Sequence, residues 1–108
     1  MYERLGDTLA HECISESLQR IAQQVKLHHG RLVETIGDEA LVTFVNPLDA
    51  ARAACAIQQQ FAREPVAGKQ YVKVRIGFHY GPIEFDNGHP FGDTVNVAAR
   101  VVALCEAG

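Results

Sequence analysis

The sequence lacks the features of a nucleic-acid-binding or membrane-spanning chain. No two Lys or Arg residues are adjacent among its 108 residues, and 13 acidic against 10 basic residues give a net charge of -3. Because binding to nucleic acid depends on basic side chains that neutralise phosphates, this composition argues against a nucleic-acid partner. No apolar run approaches the roughly 20 residues that a helix needs to cross a bilayer. We therefore expect a soluble, cytoplasmic protein with no membrane segment.

Cysteine is also scarce. The three cysteines, Cys13, Cys55 and Cys105, are widely spaced and include no Cys-x-x-Cys pair. This pattern predicts neither a disulfide framework nor a zinc site, so we interpret all three as reduced, buried thiols. The hydrophobic content of 47% supports one modest core, and no linker divides the chain. A single domain over residues 1–108 is expected.

The periodicity of apolar residues predicts a mixture of helices and strands. In chain order, the predicted elements are a helix from Asp7 or Thr8 to His29–Gly30, strands over 31–36 and 40–45 joined by a tight turn, a helix from Asn46–Pro47 to the residue before Pro65, a strand over 71–80, a short strand over 83–85, and a third helix from Asp93. This order is that of an α+β ferredoxin-like sandwich without its first strand. The sheet is therefore expected to lack one strand.

Three polar residues are candidates for chemistry. Asn96 and Arg100 are four residues apart, a spacing that places both side chains on one face of a helix. An amide and a guanidinium in that position can orient a sugar and neutralise a phosphate, although the same spacing also fits a solvated helix face. Asp38 in the hairpin turn suits a divalent cation bound to a triphosphate. One carboxylate is too few for two metal ions, and an ordinary turn also explains a Gly-Asp pair.

Three segments carry more specific motifs: Glu34–Glu39, Val74–Pro82 and Phe91–Arg100. Together, and in this order, they resemble the class III adenylyl/guanylyl cyclase catalytic domain over essentially the whole chain. The resemblance implies the class III nucleotidyl cyclase fold, without its first strand and its C-terminal part. A chain truncated at both ends is expected to be catalytically incomplete.

The resemblance also implies roles for individual residues. Asp38 matches the second of the family's two metal-binding aspartates, while Asn96 and Arg100 match the pair that holds the ribose and the α-phosphate. The family's first metal aspartate would precede Met1, and a phosphate-binding lysine would follow Gly108. The implied cofactors are two Mg²⁺ or Mn²⁺ ions, and the implied assembly is a homodimer with shared sites. The reaction would be metal-assisted attack of the ribose 3′-hydroxyl on the α-phosphate, with pyrophosphate leaving.

Two departures from the family pattern bear on the substrate. Glu34 and His89 stand where adenylyl cyclases carry a base-reading lysine and aspartate. Guanine offers N1–H and N2–H donors to Glu34 and an O6 acceptor to His89, so GTP is expected rather than ATP. The other histidines, His11, His28, His29 and His79, show no metal-ligand spacing, and we interpret them as structural.

Two other functions fit parts of the sequence. The changes at both base-reading positions, Glu34 and His89, also fit a regulatory or dimerisation module. Such a module would keep the cyclase fold without turnover. A diguanylate cyclase relative is the third interpretation. Its hairpin signature is Gly-Gly-Asp/Glu-Glu-Phe, and Ile36–Ala40 lacks both the first glycine and the phenylalanine. The diguanylate cyclase therefore ranks last.

Overall fold

A computed structural model describes residues 2–66, 71–81 and 96–105, with side chains described for 11–66, 71–80 and 97–105. The elements in these ranges are α1 (Tyr2–Leu27), β1 (Arg31–Ile36), β2 (Glu39–Phe44), α2 (Pro47–Arg63), β3 (Lys73–Gly81) and β4 (Asn96–Leu104). The strands form an antiparallel sheet in the order β1-β2-β4-β3. The α+β prediction is confirmed, since a four-strand antiparallel sheet and two helices are consistent with a small ferredoxin-like fold.

Both helices pack on one face of the sheet and leave the other face open. Every second residue of β2 and β4 is buried, as expected for strands with one covered face. The buried strand residues join the apolar residues of both helices in one core, which includes Cys13, Ile21, Val25, Val42, Phe44, Ile57, Phe61, Val97, Ala99, Val101 and Ala103. The residues that alternate with them on β2 and β4 form the open face.

The end of α1 is a Schellman motif. The Gly30 N–H donates to the Val25 carbonyl oxygen at 2.8 Å, and the His29 N–H donates to that of Lys26 at 3.2 Å. The left-handed residue of the motif is His29, with φ 64, a conformation that usually requires glycine. Gly30 is needed for a different reason, because a Cβ there would overlap the Phe44 ring. The predicted end of the helix is confirmed, whereas its predicted start at Asp7 or Thr8 is wrong, because α1 begins at Tyr2.

We expect His29→Gly to raise the free energy of unfolding by about 1 kcal/mol, because a glycine adopts the left-handed conformation without the steric cost of a Cβ. Urea denaturation of the two proteins measures the difference. Gly30→Ala is the control at the neighbouring position, and it is expected to be destabilising because of the Phe44 ring. A His29→Gly protein no more stable than the parent would contradict the assignment.

The start of α2 follows its sequence signals. The Asn46 side chain accepts a hydrogen bond from the Leu48 N–H at 2.9 Å, and Pro47 occupies the first helical position. Such caps satisfy donors that the helix itself leaves unpaired. The predicted cap is confirmed.

The far end of α2 is held by an arginine from α1. Arg20 donates to the carbonyl oxygens of Glu64 and Pro65, each at 2.7 Å. Its guanidinium also lies 5.5 Å from the centroid of the Phe61 ring, within the range of a cation–π contact. One side chain therefore satisfies two carbonyl groups beyond α2 and fixes the two helices to each other.

The predicted third helix is wrong over residues 96–104, which form β4. Val97 and Val101 are spaced equally well for a helix stripe and for one face of a strand. The alternation of buried Val97, Ala99 and Val101 has the strand period, and β-branched valines favour strands. Leu104, the third member of the proposed stripe, is 37% exposed. The predicted short strand over 83–85 and the predicted start of the helix at Asp93 lie outside the described residues.

The expectation of three reduced, buried cysteines is also wrong. Cys13 and Cys105 form a disulfide whose Cα atoms are 6.2 Å apart, and Cys55 is free and exposed. The bond joins α1 to the residue after β4. Because structural disulfides are rare in reducing compartments, the cytoplasmic location stays a prediction.

Candidate functional site

The candidate site is built on the open face of the sheet. Strand pairing places Glu34 opposite Leu41, Leu41 opposite Arg100, and Arg100 opposite Gly77. These four residues, one from each strand, form what we call the central row. Since neighbouring strands lie about 4.8 Å apart, the Cα atoms of Glu34 and Arg100 are roughly 10 Å apart. The row therefore sets a carboxylate and a guanidinium on the same surface.

Charge is divided unevenly across this face. The carboxylates Glu34 and Glu39 lie on β1 and β2, whereas Arg75, His79 and Arg100 lie on β3 and β4. Arg31 on β1 is an exception to this division. Among the described residues, one half of the open face is thus mainly acidic and the other half basic.

Arg100 is the cationic residue of the central row, and it makes one long contact with Glu39. Its Nε atom lies 3.8 Å from Oε1 of Glu39, and its side chain remains 73% exposed. Glu39 lies diagonally from Arg100 across the β2–β4 pair. A long, exposed ion pair of this kind contributes little to stability. The guanidinium is therefore available to bind an anionic ligand.

A shallow depression of about 480 Å³ lies beside Arg100. Small residues at Gly77 and Ala98 line it, and Leu41, His79 and Arg100 are also among its lining residues. A Cβ added at Gly77 would meet no atom within 4 Å. The absence of a side chain at position 77 therefore keeps the depression open.

Asp38 lies in the turn between β1 and β2, at one end of the open face. Gly37 has φ 58, a conformation that favours glycine, and the Asp38 carbonyl oxygen accepts a hydrogen bond from the Ala103 N–H at 3.1 Å. These features fix the turn against β4. Because Ala103 is three residues from Arg100 along a strand, Asp38 lies roughly 10 Å from Arg100.

The described carboxylates suit a metal ion that arrives with a ligand. No three His, Cys, Asp or Glu residues in the described ranges lie close enough together to hold a metal by themselves. A Mg²⁺ ion bound to phosphates needs only one or two protein carboxylates, and half-buried Asp38 can supply one. In the described ranges, Asp38 could therefore contribute one carboxylate to such an ion.

The structure brings together some of the sequence-predicted residues and separates others. Glu34, Asp38 and Arg100 lie on or beside the open face. Asn96 begins β4 opposite Gly81, and four strand residues separate its Cα from that of Arg100 by roughly 13 Å. The same spacing on a helix would be about 5–6 Å, so the compact Asn–Arg pair is not formed.

One predicted site residue is not described by the structure, and three residues that line the depression were not predicted. His89 lies outside the described residues. Sequence reasoning missed Leu41, Gly77 and Ala98 as lining residues, and it assigned a structural role to His79. The alternation over 72–80 correctly placed His79 and Gly77 on the polar face of their strand, but it carried no information on which residues of β4 would lie opposite them.

The chain is similar to bacterial proteins named adenylate cyclase. It is 36% identical over 86 residues to "Putative adenylate cyclase 3" of Rhizobium meliloti (strain 1021), covering 78% of this chain and 15% of that protein. It is 29% identical over 111 residues to "Adenylate cyclase" of Glutamicibacter nicotianae, covering 99% and 27%. It is 31% identical over 83 residues to "Adenylate cyclase" of Streptomyces coelicolor, covering 77% and 21%. These likenesses support an adenylate cyclase-like family.

The chain spans between 15% and 27% of the length of these three relatives. No protein-family model matches the sequence. No solved structure matches it either. In the described part of the chain, neither helix has an apolar stretch long enough to cross a membrane.

Proposed function

We propose that this chain forms part of a class III nucleotidyl cyclase, which converts a nucleoside triphosphate to a 3′,5′-cyclic monophosphate and pyrophosphate. The central row carries this proposal, because it sets Glu34 and Arg100 on one open surface with Asp38 at its end. The order of the three cyclase-like motifs and the similarity to proteins named adenylate cyclase support the same reaction. A role in intracellular signalling in the cytoplasm is part of the proposal.

Each residue has a distinct role in this reaction. Arg100 donates hydrogen bonds to the α-phosphate and neutralises the charge that grows there in the transition state. Asp38 would hold one of the two Mg²⁺ or Mn²⁺ ions that accompany the triphosphate. Such an ion, when bound there, would supply polarisation of the phosphate and a lower pKa of the attacking 3′-hydroxyl. Asn96 orients the ribose, at a greater distance from Arg100 than a helix would give.

Glu34 favours GTP as the substrate. A carboxylate can accept hydrogen bonds from both the N1–H and N2–H groups of guanine, whereas adenine presents an acceptor at N1 beside a single donor at N6. Glu34 is exposed in the central row, where a base can reach it. The relatives are named for ATP chemistry, so ATP is the competing substrate. His89 would add a donor to guanine O6.

A homodimer, which the family resemblance implies, is part of the proposal, and the charge pattern supports it. Two open faces related by a two-fold axis can set the acidic β1–β2 half of one chain against the basic β3–β4 half of the other. Asp38 of one subunit would then approach the central row of its partner, which contains Glu34 and Arg100. Such an arrangement would assemble each site from two chains.

The alternative function is a regulatory module that keeps the fold and the dimer surface without turnover. The wide separation of Asn96 and Arg100 on β4 favours it, because these positions hold adjacent groups of one nucleotide in the resemblance. A diguanylate cyclase stays the third candidate on the motif argument alone.

The deciding experiment measures cyclic nucleotide formation with Mn²⁺ and equal concentrations of ATP and GTP. It uses this chain and the longest native reading frame that contains it. Cyclic GMP as the main product, lost in an Asp38→Asn variant, is the expected result. Cyclic AMP as the main product would reject the role of Glu34 and keep the cyclase. A folded, dimeric protein that forms neither product would favour the regulatory module.

A further inference from the structure

We propose that His79 is a second phosphate-binding side chain, which acts with Arg100 across a floor formed by Gly77 and Ala98. The inference rests on the proposed function in one respect, because the phosphate is taken to belong to the nucleotide. It adds a binding residue and a space-keeping glycine that the motif comparison does not assign.

The register of β3 and β4 defines the geometry. Arg100 lies opposite Gly77, and Ala98 lies opposite His79. Arg100 and His79 are therefore diagonal neighbours, with their backbones about 7–8 Å apart. Because Val97, Ala99 and Val101 face the core, Ala98 and Arg100 face the open side. Two long donor side chains thus flank two positions that have almost no side chain.

The space between them is large enough for an anion. The depression at this place measures about 480 Å³, and Gly77 contributes no atom to obstruct it. The described contact of Arg100 uses Nε. Its terminal nitrogens can still make the paired hydrogen bonds that guanidinium groups form with phosphate. A phosphate above Gly77 and Ala98 can therefore meet Arg100 on one side and His79 on the other.

The surrounding charges favour an anion over a cation. Lys73 and Arg75 lie on the same strand as His79, four and two residues before Gly77 respectively, and both are exposed. In the described part of this half of the face, basic groups dominate, and a field of one sign raises the local concentration of oppositely charged ligands. The small floor and the basic border together indicate a phosphate subsite.

The test measures binding of inorganic pyrophosphate to the chain by calorimetric titration. His79→Ala and Gly77→Leu are each expected to weaken binding about tenfold, the first by removing a charge-assisted hydrogen bond and the second by filling the depression. Gly77→Ala should fall between Gly77→Leu and the parent. Arg31→Ala, which removes a cation from the opposite edge of the open face, and His11→Ala on α1 are the matched controls, and each should stay within about twofold of the parent.

Circular dichroism of every variant checks the fold, and His79→Gln provides a second replacement that keeps a side-chain donor and should restore part of the binding. Binding by His79→Ala equal to that of the parent, or absence of pyrophosphate binding by the parent itself, would overturn the subsite. The expected binding pattern in a protein that forms no cyclic nucleotide would keep the subsite and reject the cyclase. Cyclic nucleotide formation, together with pyrophosphate binding by His79→Ala equal to that of the parent, would keep the cyclase and reject the subsite.

Discussion

Replacing Cys105 with serine is expected to lower the free energy of unfolding by about 4 kcal/mol. The disulfide joins residues separated by 92 positions in the sequence, and a cross-link over so long a loop removes much conformational freedom from the unfolded chain. Domains of this size have a total stability of about 5–15 kcal/mol. Loss of the bond therefore removes a large share of the stability. Cys105 is the better position to change, because Cys13 is fully buried and a hydroxyl there would add a separate cost.

Urea denaturation without reductant measures this effect, and Cys55→Ser is the matched control. Cys55 is free and exposed, so its replacement should leave the stability within about 0.5 kcal/mol of the parent. Addition of a dithiol reductant to the parent should lower its stability to that of Cys105→Ser. Thiol labelling of the unfolded, unreduced parent should modify one cysteine. Labelling of all three cysteines, with equal stability of the two variants, would contradict the disulfide.

The disulfide shows a limit of sequence reasoning that the hairpin does not share. The strands predicted over 31–36 and 40–45 match the observed strands over 31–36 and 39–44 to within one residue, because the Gly37 turn and the Asn46 cap that bound them are local signals. The Cys13–Cys105 pair has no local signal. Its two cysteines meet only because α1 packs on the face of the sheet to which the end of β4 returns.

The same limit explains the error at β4. Val97 and Val101 fit both a helix stripe and a strand face, and the expected helix came from the motif and from this ambiguous spacing. The pairing of β4 with both β2 and β3 decides the matter, because it satisfies the backbone groups of residues 96–104 from two sides. Such pairing depends on residues that are distant in the sequence, so the residues next to Arg100 in the sequence do not predict it.

The candidate site was also predictable only in part, because its residues have local signals and their pairing does not. Glu34, Asp38 and Arg100 were predicted from motifs and not from strand pairing. That Glu34 and Arg100 share a row, and that Gly77 lies beside Arg100, follows from register alone. Because a one-residue shift in pairing would move every side chain to the other face, the sequence could nominate these residues but could not bring them together.

Arg100→Ala is expected to lower kcat by about 100-fold to 1,000-fold in the longest active form of the protein, with a much smaller change in KM. The loss is of the size seen when one donor to a developing oxyanion is removed. Arg100→Lys should recover part of the rate, since lysine keeps the charge and loses the paired hydrogen bonds. The fold should be unaffected, because the side chain is 73% exposed and its ion pair with Glu39 is long.

Arg31→Ala is the matched control for this prediction, because it removes an arginine from the open face at the edge strand, away from the depression. Its kcat should stay within about twofold of the parent, as expected for a solvated charge at the rim of a surface. Steady-state kinetics of the three variants separate a transition-state role, which lowers kcat, from simple attraction of the nucleotide, which raises KM and affects both arginines. Equal kinetics for Arg100→Ala and Arg31→Ala would mean that Arg100 contributes only to the net charge of the open face, and the proposed role of the central row in turnover would then be wrong.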